Sequence, residues 1–180
     1  MVAMVAEVTA VVLADAGPLI ALARLEQLTL LKRLYGQMWV TQTVWQEATA
    51  GGAFADAKRI EAARAQGWLQ VGPDAAPSDL QRDALALLDA GERATMAQAL
   101  HLRASGVASL LVMDDLAGRA VAKRLGLEVI GTVGVLLRAK ERSLLPAVAP
   151  WLAALGVNGY FLSAQIVATA LELAGEAAER

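Results

Sequence analysis

Cysteine is absent from this 180-residue chain, and histidine occurs once. No disulfide can form and no thiolate can hold a metal. A zinc site built on several histidines is excluded too. A Ser-His-Asp triad would have to rest on His101, which sits between Leu100 and Leu102 late in a helical stretch, away from every other chemical signal. Aromatic residues make up only 4% of the chain against 57% hydrophobic residues, so Ala, Leu and Val must build the core. The net charge of −2 gives no global attraction to nucleic acid or to an anionic membrane, so RNA contact would need local basic groups or bridging metal ions. Met1 to Ala6 lacks the basic start of a signal peptide, and Glu7 interrupts it. Ser143 to Leu171 carries no charged residue and is long enough to span a bilayer. Pro146, Pro150, Gly156, Asn158, Gly159 and Gln165 break that stretch, so two short helices joined by a turn are expected, with no membrane span and a cytoplasmic location.

What is present is an alternation. Thr9–Ala14 reads as a short buried strand, followed by a helix opening at Gly17-Pro18, broken near Glu26 and stopped at Gly36. Met38-Trp39-Val40 reads as a second strand, Thr41 to Ala50 and Ala55 to Ala65 as helices, and Trp68 to Val71 as a third strand. Ser78 and Gln81 have capping-box spacing for a helix running to about Leu88. Gly91 breaks the pattern, and Glu92 to Ala104 forms the next helix. Ser109 to Met113 and Leu127 to Ile130 are the fourth and fifth strands, with a helix over Leu116 to Leu125 between them. Helices over about Val133 to Lys140, Pro146 to Leu155 and Ser163 to Gly175 close the chain. This order predicts one α/β domain over 1–180. It is a three-layer α/β/α sandwich with a mostly parallel five-stranded sheet, a core over about 9–140 and extra C-terminal helices over about 143–180.

Four acidic signals fall where such a fold aims them at one edge. Asp15 and the pair Asp114-Asp115 each follow a strand, so they lie at the carboxyl edge where open α/β sheets bind ligands. Glu47 lies within the first two turns of a helix that starts at that edge, and Glu92 opens another. Gathered carboxylates repel one another, and a hard divalent cation relieves the repulsion. Convergence would therefore indicate a metal-dependent enzyme acting on phosphates. Each residue also has a plainer role. Asp15 could cap the helix near Pro18, Glu47 could be a solvated helix residue, Glu92 could complete a capping box with Asp89, and one of Asp114 and Asp115 could cap the next helix. Arg93, Arg119, Lys123 and Arg124 read as a solvated helix face or as phosphate contacts. A phosphatase or receiver-like protein also uses a strand-end Asp, but its Asp-x-Asp or early Asp pair is missing around Asp15.

The stretch Val12 to Leu22, read VLADAGPLIAL, resembles the opening of PIN-domain proteins. Trp45-Gln46-Glu47-Ala48, Leu88 to Glu92 and Leu111 to Asp115 match the later acidic motifs in order, and Val129 to Leu137 is similar to a prokaryotic branch of unknown function. The resemblance covers Val11 to about Gly175. It implies a nuclease, specifically a ribonuclease, with Asp15, Glu47, Glu92, Asp114 and Asp115 holding Mg²⁺ or Mn²⁺. Within the pair, Asp115 is the better match to the family's acid. It also implies RNA as substrate, and a toxin–antitoxin role of the VapC type with a small antitoxin partner. The rival within the same fold is a non-catalytic RNA- or protein-binding module. A homodimer is expected if Trp151, Leu152 and Leu155 are surface, although the same residues could pack on the chain's own core. Two features depart from the family pattern: Ala16 stands where many relatives carry a hydroxyl after the first acid, and the C-terminal helices make the chain longer than a compact toxin.

Overall fold

The computed structural model describes residues 10–177. Five parallel strands form one sheet in the order β3-β2-β1-β4-β5: β1 Val11–Ala14, β2 Met38–Thr41, β3 Leu69–Gly72, β4 Ser109–Val112 and β5 Glu128–Ile130. The five expected strands are present, with ends moving by a residue or two; Thr9 lies outside the described residues. Short apolar runs fully buried on both sides suit parallel strands. Val12, Ala14, Leu110 and Val112 face one layer of the core, while Leu13 and Leu111 face the other.

The first layer contains α1 (Ala16–Arg24), α2 (Thr29–Tyr35), α3 (Gln42–Thr49), α4 (Ala55–Ala65) and α8 (Thr132–Glu141). The opposite layer contains α5 (Asp79–Leu85), α6 (Ala90–Ala104) and α7 (Leu116–Arg124). The break near Glu26 is real: this residue takes the left-handed conformation, at φ 59°, and separates α1 from α2. Ser78 and Gln81 form the expected capping box, but α5 ends at Leu85 and a turn closed from Leu88 N–H to Leu85 O carries the chain on. Gly91 does not break a helix. Asp89 caps α6, which starts at Ala90, so Gly91 lies inside its first turn, where the absence of a side chain serves packing rather than termination.

Ser143 to Leu171 resolves into α9 (Ala149–Val157) and α10 (Ala164–Leu173), the two helices and turn expected. Among the described residues, no helix is long and apolar enough to cross a membrane. Leu152 and Leu155 are buried and Trp151 packs against the same core, so the residues on which self-association was expected to rest are occupied within the chain. What this region exposes instead is Val157, Phe161 and Leu173.

Glu176 clamps these helices together. Its carboxylate accepts from Lys140 Nζ at 2.6 Å, from Val148 N at 2.7 Å and from Ala149 N at 2.8 Å, and so caps the start of α9 from beyond the end of α10. The Lys140 contact and the two amides push the carboxyl down to about 2. A lowered folded pKa stabilises above the unfolded value near 4.5 and loses that effect as pH falls towards 2. Glu176→Gln is therefore expected to lower the thermal midpoint at pH 7 and to change it little near pH 2. Scanning calorimetry at both pH values checks this, and an equal loss at both would refute the ionic clamp.

Candidate metal centre

The sheet changes direction between β1 and β4: β2 and β3 lie on one side of β1, β5 on the far side of β4. Crossovers leave these two central strands in opposite directions and open a crevice at their carboxyl ends. Ala14 pairs with Val112, and Asp15 N–H donates to Val112 O at 3.0 Å, which locks Asp15 onto the crevice floor. Asp114 and Asp115 leave β4 just beyond that register. Helices α3 and α6, from opposite layers, meet over the same edge and bring Glu47 and Glu92 to it.

Convergence is visible at Gly91. A Cβ on this residue would lie 2.6 Å from Glu47 Oε2 and 3.1 Å from Asp15 Oδ1, so both oxygens flank a space that only glycine leaves open. Gly118 on α7 makes room chiefly for Met113: a Cβ there would lie 2.8 Å from its sulfur and 3.4 Å from the Glu92 carboxyl carbon. Neither glycine needs an unusual backbone angle. Their requirement is close approach by side chains from elsewhere in the chain, a signal that the sequence hides.

Asp15 is buried, and its Oδ1 has no hydrogen-bond partner among the described residues. It occupies the N-cap position of α1 yet makes no side-chain capping bond, so capping does not account for its carboxylate. Ala16 supplies no hydroxyl. Burial raises the Asp15 carboxyl to about 7; contact with the Ala16 amide opposes this, and the charges of Asp89, Glu47 and Glu92 reinforce it. Burial, then Asp89 and Asp115, also raise Glu92 to about 7. Burial and Asp89 raise the more exposed Glu47. No ion pair among the described residues reaches any member of this group.

Asp89 is the participant that sequence reasoning treated only as a cap. It does cap α6, accepting from Glu92 N at 2.8 Å, while its charge acts on Asp15, Glu47 and Glu92 together. Its position one helical turn before Glu92 was the available signal. Asp114 points elsewhere: it accepts from Thr132 N at 2.7 Å and from Thr132 Oγ1 at 2.6 Å, anchoring the start of α8. Asp115 caps α7 by accepting from Gly118 N at 2.7 Å, and it stands beside Glu92. Glu92 Oε2 also reaches back to Asp89 N at 3.4 Å. Among the described residues no three acidic or histidine side chains form a preassembled ligand group.

The donor set nevertheless fits a hard cation. It is all oxygen, no ion pair among the described residues reaches it, and one buried carboxylate oxygen has no protein partner. Mg²⁺ commonly takes one or two carboxylates and keeps several waters, so a preassembled group of three is not required.

Two expectations follow. The folded protein holds the Asp15 proton more tightly than the unfolded chain, whose aspartates titrate near 4. Metal-free stability should therefore decline as pH rises from about 4 to about 7, by an amount on the order of 2–4 kcal/mol. Asp15→Asn should restore much of it at pH 8. Denaturant unfolding in chelator from pH 5 to 8 measures both, and stability that rises across this range would contradict the burial of an unpaired carboxylate. Gly91→Ala should lower Mn²⁺ affinity measured by calorimetry at least severalfold, because its Cβ would crowd both Glu47 Oε2 and the buried Asp15 Oδ1.

A family model described as PIN domain matches residues 11–176 of the chain. No curated protein matches it. PIN domains are generally nucleases with clustered carboxylates, and the all-parallel sheet with acids at its carboxyl edge is their architecture. By this match over most of its length, the chain belongs to the PIN-domain family.

Proposed function

We propose that this protein is a Mg²⁺- or Mn²⁺-dependent ribonuclease whose ligand set is drawn from Asp15, Glu47, Glu92 and Asp115. The observation that carries the proposal is the Asp15 carboxylate. It is buried, free of any capping bond and faced by other acids across Gly91. Such a group is destabilising in isolation and becomes favourable once a cation shares it. A bound divalent ion would supply Lewis acidity, lowering the pKa of water and offsetting phosphate charge.

The chain's own residues then divide the remaining work. Asp15, whose backbone is tied to β4, would be the fixed ligand of such an ion. Asp115 and Glu92 would complete the set, each giving up a capping bond to do so. Glu47 is exposed at the rim of the group, so it is placed to orient the attacking water and to take its proton. Asp114 serves as a positioning residue: Thr132 occupies both of its oxygens and sets the path of the chain from β4 into α7.

The toxin role belongs to the same reading, with a peptide antitoxin covering the acidic edge. The alternative is a PIN-like module that binds RNA or protein without cutting, and it is favoured by one observation: Glu92 and Asp115 are engaged in helix caps. Mn²⁺ calorimetry separates the two readings, since the nuclease should bind the ion and the module should not. Asp15→Asn and Asp115→Asn are expected to reduce RNA cleavage at least a hundredfold with the fold retained by circular dichroism. Full cleavage by both variants, in nuclease-free preparations, would remove the proposal.

A further inference from the structure

A cleft of about 300 Å³ opens between one side of α1, from Gly17 to Arg24, and the turn joining α9 to α10. Ile20, Ala21 and Leu155 line it with apolar surface. The Tyr160 ring and Gly17 form its walls, and Arg24 and Asn158 sit among its exposed polar groups. Gly159, at φ 79°, is in the left-handed region that glycine favours, and it turns Tyr160 back towards the sheet.

Two contacts join this cleft to the carboxylate edge. Gly17 lies in the same helical turn that begins at Asp15. The Tyr160 hydroxyl approaches Asp114 and Thr132, next to Asp115. Burial, then Asp114, push the Tyr160 phenol far above its ordinary value, so it stays neutral beside Asp114. Arg24 is already oriented: its Nε donates to Asp56 at 2.8 Å, leaving its terminal nitrogens towards solvent. Half of the side chain is exposed.

We infer that this cleft receives one unpaired nucleotide of RNA flanking the phosphodiester at the acidic edge, and the inference rests on the nuclease reading for the position of that bond. The base packs against Ile20 and the Tyr160 side chain, above the buried Leu155. Asn158 meets its polar edge, and Arg24 meets the adjoining phosphate. An apolar slot with an aromatic wall and a guanidinium at its mouth is what single-stranded nucleic acid requires. A base pair would be too large, which restricts the substrate to strands, loops or ends.

The test uses short single-stranded RNAs in which one base at a time is replaced by an abasic ribose, with cleavage and fluorescence-anisotropy binding read together in Mn²⁺. One abasic position should cost the wild type about tenfold in kcat/KM, mainly through KM, which is the scale of one lost base–aromatic contact. Ile20→Trp, which fills the cleft, should show the same loss on intact RNA and no further loss at that position. Arg24→Gln, an exposed change that leaves the cleft floor intact, should weaken binding about threefold and reduce the salt dependence by one phosphate contact. Cleavage that ignores every abasic position, or binding by both variants equal to wild type, would overturn the inference and leave the nuclease reading standing. Position-sensitive binding without any cleavage would keep the cleft and remove the nuclease. Neither cleavage nor position-sensitive binding would remove both.

Discussion

A carboxylate without a partner governs this molecule. Asp15 leaves β1 where the backbone is already committed to β4, so it cannot retreat to solvent without breaking the central pairing of the sheet. Burial and three neighbouring acids oppose its charge. A fold kept for stability alone would replace it with an apolar residue, because buried unpaired charge costs more than a small cavity does. Glu92 and Asp115, by contrast, are each engaged by a backbone amide.

Around that carboxylate the structure withholds bulk. Gly91 and Gly118 sit in the first turns of α6 and α7 at ordinary helical angles, where alanine would be the better helix former. Gly91 instead lets the Glu47 and Asp15 carboxylates come close, and Gly118 makes room for Met113 beside Glu92. Gly131 completes the pattern next to Asp114: a Cβ there would lie 2.8 Å from Asp114 Oδ1 and 3.1 Å from an Arg119 nitrogen. The C-terminal helices take part as well. Glu176 fastens them to α8 and α9, and Tyr160 carries their turn to the edge of the site. The added length is thus built into the wall of the candidate site.

Much of this was legible in the chain. Buried strand runs, helix stops at Gly36 and Gly67, and the Ser78 capping box are local signals, and local sterics decided them as expected. The acidic residues could be located because a parallel sheet puts every strand end on one edge, whatever the intervening sequence. Other features were hidden for physical reasons. Gly91 looks like a breaker, since a sequence cannot show that a carboxylate from another helix needs the space of its missing Cβ. Asp114 and Asp115 are chemically alike and adjacent, and only the position of Thr132 on β5's following helix separates their roles. Asp89 looked like a cap because it is one, while its action on three other acids passes through space.

The amino-acid sequence by itself determined the alternation of strands and helices, the parallel sheet and the edge on which the acids fall, because periodicity, capping and chain direction are properties of neighbouring residues. The tertiary structure alone decided which carboxylates face one another and which are held in caps. It also decided whether the uncharged tail lies against its own core, because those outcomes depend on distances between segments far apart in the chain and on burial, which no local pattern encodes.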